Sequence, residues 1–331
     1  MNLRERVITA LRLGQPDRVP HIESRVDVPI QRALMGRDDF LPEELADVIG
    51  LHNLQLRQFL PPIFAEYHES GGSDYPAKPL IQTRSDLDKM RFPDPESPAL
   101  YADAEALVKR NVGKYAIGAS LRTGISAAHM SMGLEGFSYA LADDPGFVDT
   151  VIGRYADWAI AVMGHLRDIG VDYIWTFDDI AYKSGPMLSP RVFRKVLMPH
   201  MQRVGDAIKS AGLLWILHSD GDLTALMQDL LKLGINGLHP IEPGAMDIVQ
   251  VKEQFGARVC LIGNIDLHYT LTQGTVEEVE AEVKERIEAI GKGGGYIISS
   301  ANSITHYCRI ENVRAMIAAI RQYGLYPEHS R

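Results

Sequence analysis

The sequence predicts an α/β fold, a closed (β/α)8 TIM barrel with an N-terminal helical extension, on three observations. Apolar strand-like runs recur at residues 115–120, 171–177, 213–218, 235–239, 258–262 and 295–299. Helical patterns fill the gaps between them, and such alternation implies parallel pairing through right-handed crossovers. Polar and charged side chains gather just after the strand ends, where a barrel of this kind builds its chemistry.

In chain order, residues 3–13 place Leu3, Val7, Ala10 and Leu11 on one helical face, and Gly14-Gln15-Pro16-Asp17 ends that helix. Residues 19–22 read as a first strand. Residues 27–110 are the least legible third. There 41–49 suggests a helix and 51–60 either a strand or a helix, while Pro61-Pro62, Gly71-Gly72 and the segment 93–98 mark loops. Helical patterns then follow at 145–169, 190–211, 222–233, 246–255, 275–290 and 310–323. Six clear strands and two near the N-terminus make eight, and no linker, repeat or low-complexity stretch divides the chain. Residues 1–331 are therefore expected to form one domain.

Composition narrows the function. The 331 residues carry 43 acidic against 34 basic side chains, a formal charge of −9, and no clustered Lys/Arg, which argues against nucleic acid as a ligand. Two cysteines, Cys260 and Cys308, suit a reducing compartment rather than a disulfide scaffold. The charged start Met1-Asn2-Leu3-Arg4-Glu5-Arg6 and the lack of an eighteen-residue apolar run point to a cytoplasmic protein without a membrane span. Gly291-Lys292-Gly293-Gly294-Gly295 precedes a strand instead of following one, so it is a helix stop and tight turn, not a dinucleotide cradle. Gly118-Ala119-Ser120 lacks the second glycine of a nucleophile elbow, which speaks against a Ser-His-Asp hydrolase.

At the predicted strand ends stand Glu23 and Arg25, Arg122, Asp178 and Asp179, His218 with Asp220 and Asp222, His239 with Glu242, Asn264 with Asp266, and Asn302 with His306. Asp222 is also a preferred helix N-cap, Asn264 and Asp266 are also turn formers, and His165, His200 and His268 read as surface or packing residues. Cys260 reads as a small core residue. His218 closes an apolar strand and is flanked by acids, which makes it the leading candidate. His218, Asp220 and Glu242 are the expected metal ligands, since imidazole and carboxylate suit zinc. His218, Asp220 and Asp179 equally suit acid/base catalysis without metal. Glu23, Arg122, Asp178, His239, Asn264, Asp266 and Asn302 are expected to contact substrate.

The opening Arg4-Glu5-Arg6-Val7, Ala10-Leu11 and Pro16-Asp17-Arg18-Val19-Pro20 resembles the start of the uroporphyrinogen decarboxylase family, which includes decarboxylases and corrinoid-dependent methyltransferases. Further matches follow in order at Asp178-Asp179, Gly185-Pro186, Ser189-Pro190, His218-Ser219-Asp220-Gly221-Asp222, Gly263-Asn264-Ile265-Asp266, Gly293-Gly294-Gly295-Tyr296-Ile297 and Glu311-Asn312-Val313-Arg314-Ala315-Met316. Porphyrinogen decarboxylases carry Arg-Gln-Ala-Gly-Arg after the first strand. Here that region reads His21-Ile22-Glu23-Ser24-Arg25-Val26-Asp27, which removes most of the polycarboxylate clamp.

The resemblance implies that the thiol-methylating branch holds zinc through His-x-Cys and a later Cys. The corresponding positions here are His218, Asp220 and Asn302, so that zinc site is altered. What remains is similar to the branch serving O-demethylation, in which a methyl group passes between a small methoxylated or methylated substrate, a corrinoid protein and tetrahydrofolate. Asp266-Leu267-His268-Tyr269-Thr270-Leu271 matches only the first half of a corrinoid lower-ligand motif, so the corrinoid is expected on a separate protein docking over the barrel mouth. The alternative is a cofactor-free decarboxylase of a non-porphyrin acid, which needs cations such as Arg25 and Arg122. A hydrolase with a His-Asp metal site and a non-catalytic binding barrel also stay open, as does association into a homo-oligomer.

Overall fold

The computed structural model describes residues 1–70 and 73–326; the expected loop at Gly71-Gly72 lies outside the described residues. Seven parallel strands run in sequence order around a curled sheet: β1 (Asn53–Leu56), β2 (Ala116–Leu121), β3 (Tyr173–Phe177), β4 (Leu214–His218), β5 (Gly237–His239), β6 (Cys260–Ile262) and β7 (Tyr296–Ile297). Residues 20–23 close the cylinder between β7 and β1. Ile298 N–H donates to the Pro20 carbonyl at 2.9 Å, Ile22 N–H to the Ile298 carbonyl at 3.2 Å, and His52 N–H to the His21 carbonyl at 2.8 Å. The eight-segment TIM barrel expected from the alternation is what the chain forms, and the ambiguous stretch 51–60 resolves as strand β1.

Helix α1 (Leu3–Leu11) is the N-terminal extension. It begins in a capping box in which the Asn2 side chain accepts from Glu5 N–H and Glu5 accepts from Asn2 N–H. Its buried face, Val7, Ala10 and Leu11, packs into the barrel interior with Ile22, Ala116, Trp175, Ile216 and Cys260, plugging the end opposite the strand C-termini. Close packing there needs glycines. A Cβ on Gly118 would stand 2.3 Å from Gln55 Oε1 and 2.4 Å from the Tyr173 ring. Cys260 lies wholly inside, and burial raises its thiol pKa, as a core residue requires.

Several elements depart from expectation. Helices Val28–Met35 (α2), Ala102–Asn111, Ile125–Met132 and Leu134–Asp143 and the hairpin Ala65–Ser70/Ser73–Pro79 were not anticipated. Ile125–Met132 buries Ile125, Ser126, Ala127, Ala128, Ser131 and Met132, nearly its whole circumference, so it carries no one-sided periodicity. The helix expected at 222–233 is only Met227–Lys232, because Asp222 closes a turn by accepting Thr224 N–H at 2.9 Å. The pattern at 145–169 is two helices, Pro145–Ala161 and Met163–Ile169, and 190–211 contains a π-helical turn over Phe193–Leu197. Helix α3 (Pro42–Ile49) matches the 41–49 pattern.

Candidate active site at the mouth of the barrel

Strand register sets the site. Phe177 at the end of β3 pairs with His218 at the end of β4, which pairs with His239 at the end of β5, so three rings stand at one level of the barrel. Phe177 and His218 lie 5.2 Å apart and His218 and His239 5.0 Å, centroid to centroid. The next residues along each strand, Asp178-Asp179 and Ser219-Asp220, then rise into the mouth.

His218 Nδ1 faces His239 Nδ1 at 2.7 Å, so one proton is shared between them. Burial, reinforced by His218, holds the His239 pKa well below the usual imidazole value, so His239 is neutral. His218 Nε2 faces Asp179 Oδ1 (3.5 Å) and Asp220 Oδ1 (3.7 Å). Asp179, His218 and Asp220 offer ligand atoms that all lie within 4.8 Å of one another. Asp220 Oδ2 accepts from Asn302 Nδ2 at 2.8 Å, while Asp220 Oδ1 is buried and has no hydrogen-bond partner. That orphaned oxygen fits a cation or a proton. Burial raises the Asp220 pKa to about 6; His218 pulls it down, and Asp179 and Glu242 push it up.

Local backbone holds the centre in place. Gly221 has φ +89°, a left-handed turn that lets its N–H donate to Glu242 Oε2 at 2.8 Å. Asp220 N–H donates to Asp179 Oδ1 at 3.1 Å, Asp179 N–H to Ser126 Oγ at 2.6 Å, and Ile180 N–H to Ser219 Oγ at 3.1 Å.

The expected ligand set needs a correction. Glu242 is not in the converging group: one oxygen accepts from Gly221 and the other faces Lys183 and His268 at 3.4 Å each, and Asp179 takes its place. Other expected substrate contacts also turn out to be internal. Asp178 is fully buried, its carboxylate accepting Thr123 N–H at 2.6 Å and Ser126 N–H at 3.3 Å, and burial raises its pKa. His239 lies behind His218. Asn264 donates to the Ile241 carbonyl at 2.6 Å and accepts from Arg286 Nε at 3.1 Å. Asp266 caps a turn through the N–H groups of His268, Tyr269 and Thr270. Glu23 is held by Ser300 N–H (2.8 Å) and Ser300 Oγ (2.7 Å). Each is bonded within the protein, and Glu23 also borders a cavity.

Asn302 does line the mouth. With Asp220, Glu242, His268 and Tyr307 it borders a cavity of about 690 Å³, a size suited to a small organic ligand. A second cavity of about 430 Å³ lies against Glu23, Arg25, Asn53, Gln55 and Arg57. Arg25 and His306 both pair with Asp27 on the rim. His165 meets Glu96 and His200 meets Asp149, as packing residues do, whereas His268 lines the larger cavity and was missed. Arg57 was missed as well. It follows β1 by one residue, and its place was hidden while 51–60 stood undecided between strand and helix.

The uroporphyrinogen decarboxylase (URO-D) family model matches residues 65–323. The chain belongs to the uroporphyrinogen decarboxylase family. Among curated members, the methylcobamide:CoM methyltransferase MtaA of Methanosarcina barkeri is 30% identical over 165 residues, 50% of this chain and 46% of that relative. The uroporphyrinogen decarboxylase of Methylococcus capsulatus is 23% identical over 259 residues, 74% of this chain and 70% of that one. The alignment to the first of these thus spans about half its length. A solved methyltransferase from Methanosarcina mazei superposes with a TM-score of 0.75 at 19% identity, covering 98% of this chain and 99% of that one, which shows the shared barrel. Among the described residues of this uroporphyrinogen decarboxylase family member, no helix is long and apolar enough to cross a membrane.

Proposed function

We propose that this chain is the methyltransferase of a corrinoid-dependent, O-demethylase-type system. It moves a methyl group between a small methoxylated or methylated compound and a corrinoid held by a separate protein, with tetrahydrofolate as a further carrier. The observation that carries this reading is the convergence of Asp179, His218 and Asp220 beside an open cavity of about 690 Å³. The methyltransferase relative supports it.

Methyl transfer from a methyl ether is an in-line displacement that leaves negative charge on the departing oxygen. Asp220, with its pKa raised to about 6 by burial, keeps a minor protonated fraction at neutral pH and is mostly protonated below about pH 6, and that proton can pass to the departing oxygen. Asn302 fixes the other Asp220 oxygen and so aims the acidic one. His239 fixes the ring of His218 from behind, and Ser126 and Asp220 N–H hold Asp179.

The same residues fit a divalent cation such as zinc: His218 Nε2, Asp179 Oδ1 and the partnerless Asp220 Oδ1 would hold it. Bound there, it would act as a Lewis acid on the leaving oxygen. The donor set contains two carboxylates and no thiolate, which favours an oxygen-bound methyl group over activation of a thiol.

Purified protein should transfer methyl from methoxyarenes to cob(I)alamin, and His218→Ala and Asp220→Ala should each lower that rate at least about a hundredfold. Unchanged rates in both variants would end the assignment. Metal content that survives both substitutions would remove the ligand role while leaving the acid role standing.

A further inference from the structure

The end of the barrel away from His218 carries a cavity of its own. Strands begin there and the outer helices end there, since in this architecture each helix runs back from the mouth. Helix α1 plugs that end, and beside the plug lies a space of about 260 Å³. It is lined by Arg6 of α1, Arg18 and His21 at the first strand, Asp47 near the end of α3, His52 just before β1, and Arg321 in the last turn of the helix Ile310–Tyr323. Three guanidiniums and two imidazoles from four stretches of chain thus border one small volume.

The cations there are only partly satisfied. Arg18 Nη2 donates to the carbonyls of Ile320 (3.2 Å) and Arg321 (3.0 Å), and Arg321 Nη2 to those of Val48 (2.6 Å) and Asp47 (3.4 Å). These bonds close two helix C-termini, yet each uses one nitrogen of its guanidinium, and neither arginine pairs with a carboxylate among the described residues. The nearby carboxylates are taken: Asp17 by Arg6 at 2.7 Å and Asp47 by Lys114 at 2.8 Å. Burial lowers the Arg18 pKa, and Arg6 and Arg321 lower it further against the pull of Asp17. His52 adds a neutral donor. Its Nδ1 accepts His21 N–H at 3.2 Å, which places the ring hydrogen on Nε2, and no described residue accepts that hydrogen. Burial, aided by His21, Arg6 and Arg18, pushes the His52 pKa down to about 3, so the ring stays uncharged. On the same wall His21 Nδ1 is buried without a partner.

We propose that Arg18, Arg321 and the Nε2–H of His52 form an anion site for a phosphate group at the plugged end of the barrel. The ligand is free phosphate or a short phosphate monoester. Its tetrahedral oxygens suit donors arriving from three directions, whereas a carboxylate offers two oxygens in one plane. Bound there, it ties the first strand, the approach to β1 and the C-terminal helix together, so it acts on the stability of the closed barrel. The Asp179, His218 and Asp220 centre takes no part, and the site is independent of the methyl-transfer reading.

Calorimetry with inorganic phosphate, in chelator and at an ionic strength matched with chloride, should show saturable binding to the full chain, and melting temperatures should rise with phosphate beyond the chloride control. Arg18→Gln and Arg321→Gln should each weaken that binding about tenfold or more, and Arg321→Lys, which keeps the charge and loses the fork, should fall between. His218→Ala, at the other end, and Arg57→Gln, at the cavity beside Glu23, should leave it unchanged. Acetate should not compete. Glycerol 3-phosphate binding more tightly than phosphate assigns the site to a monoester, and weaker binding assigns it to free phosphate. Arg321 is exposed, so where melts show that Arg18→Gln does not fold, the two Arg321 variants stand as the test.

Absence of saturable phosphate binding, equal stabilisation by chloride, or full affinity in both glutamine variants would overturn the site. Displacement of phosphate by acetate at equal concentration would overturn the phosphate assignment. Binding lost in His218→Ala and kept in Arg321→Gln would put the phosphate at the acidic centre and overturn the proposal as well. Arginine-dependent phosphate binding would support it whether or not methyl transfer is observed.

Discussion

Asp220 is the residue on which most of the chemistry turns, and its electrostatics give a test that needs no substrate. Its folded-state pKa, about 6, lies above the ordinary 3.8 because the site withholds solvent from the charged form. The folded state therefore binds the proton more tightly than the unfolded chain. The stability this contributes is fully present below the unfolded value and is lost as pH rises through about 6. Asp220→Asn removes the titration, so in chelator-treated protein the variant should gain on the parent between pH 4 and pH 8. The side chain is 35% exposed, so water screens the effect and the gain should be on the order of 1 kcal/mol. Denaturant midpoints at the two pH values measure it, and parallel shifts would refute the burial account. A bound divalent cation should reverse the sign by favouring the carboxylate. The sequence made His218 and Asp220 visible because they end an apolar strand. It left Glu242 and Asp179 interchangeable as partners, because which carboxylate points inward depends on the turn at Gly221.

That turn is the element-scale device. Gly221 combines a left-handed φ of +89° with crowding: a Cβ there would lie 2.6 Å from the Ala181 carbonyl carbon and 2.7 Å from the Ala181 and Tyr182 carbonyl oxygens. Gly212 has a similar φ of +73° with nothing within 4 Å. Gly212→Ala should thus cost about 1 kcal/mol from backbone strain alone, and Gly221→Ala clearly more, of the order of 3 kcal/mol, because the short hairpin Ala181–Tyr182/Gly185–Pro186 must move. Equal losses in melting experiments would show that the crowding relaxes freely. Metal binding should weaken in Gly221→Ala only, since the displaced turn carries Asp220. Strands β2 to β7 were legible because parallel strands buried on both faces read as continuous apolar runs. Ile125–Met132 was not, for the matching reason that a helix buried nearly all round loses its periodicity. The residues 20–23 that close the barrel carry the right apolar signal, yet they pair through isolated bridges, which tertiary contacts define.

At the scale of the whole molecule, the barrel has a plugged end and an open end, and the two should separate stability from function. Leu11 is 1% exposed inside the barrel's own apolar cluster, where it meets the position a Cβ on Gly237 would take at 3.0 Å. Leu11→Ala should destabilise by about 2–5 kcal/mol while leaving KM for a methoxyarene unchanged, since α1 lies at the end away from His218. Equilibrium unfolding and steady-state kinetics together check this. A loss under about 1 kcal/mol would mean that the plug is not part of the core.

The sequence by itself determined the alternation of strands and helices, the parallel barrel that follows from it, and the end of that barrel at which polar groups collect. Those are properties of local periodicity and of the position just after a strand, and both are written in neighbouring residues. Only the tertiary structure decided which polar groups converge on His218 and which are bonded elsewhere: Asp179 toward His218 Nε2, Asp178 to backbone N–H groups, and Glu242 at the cavity against Gly221. Side-chain direction at a strand end depends on strand register and on the loop that follows, and those are fixed by contacts between residues far apart in the chain.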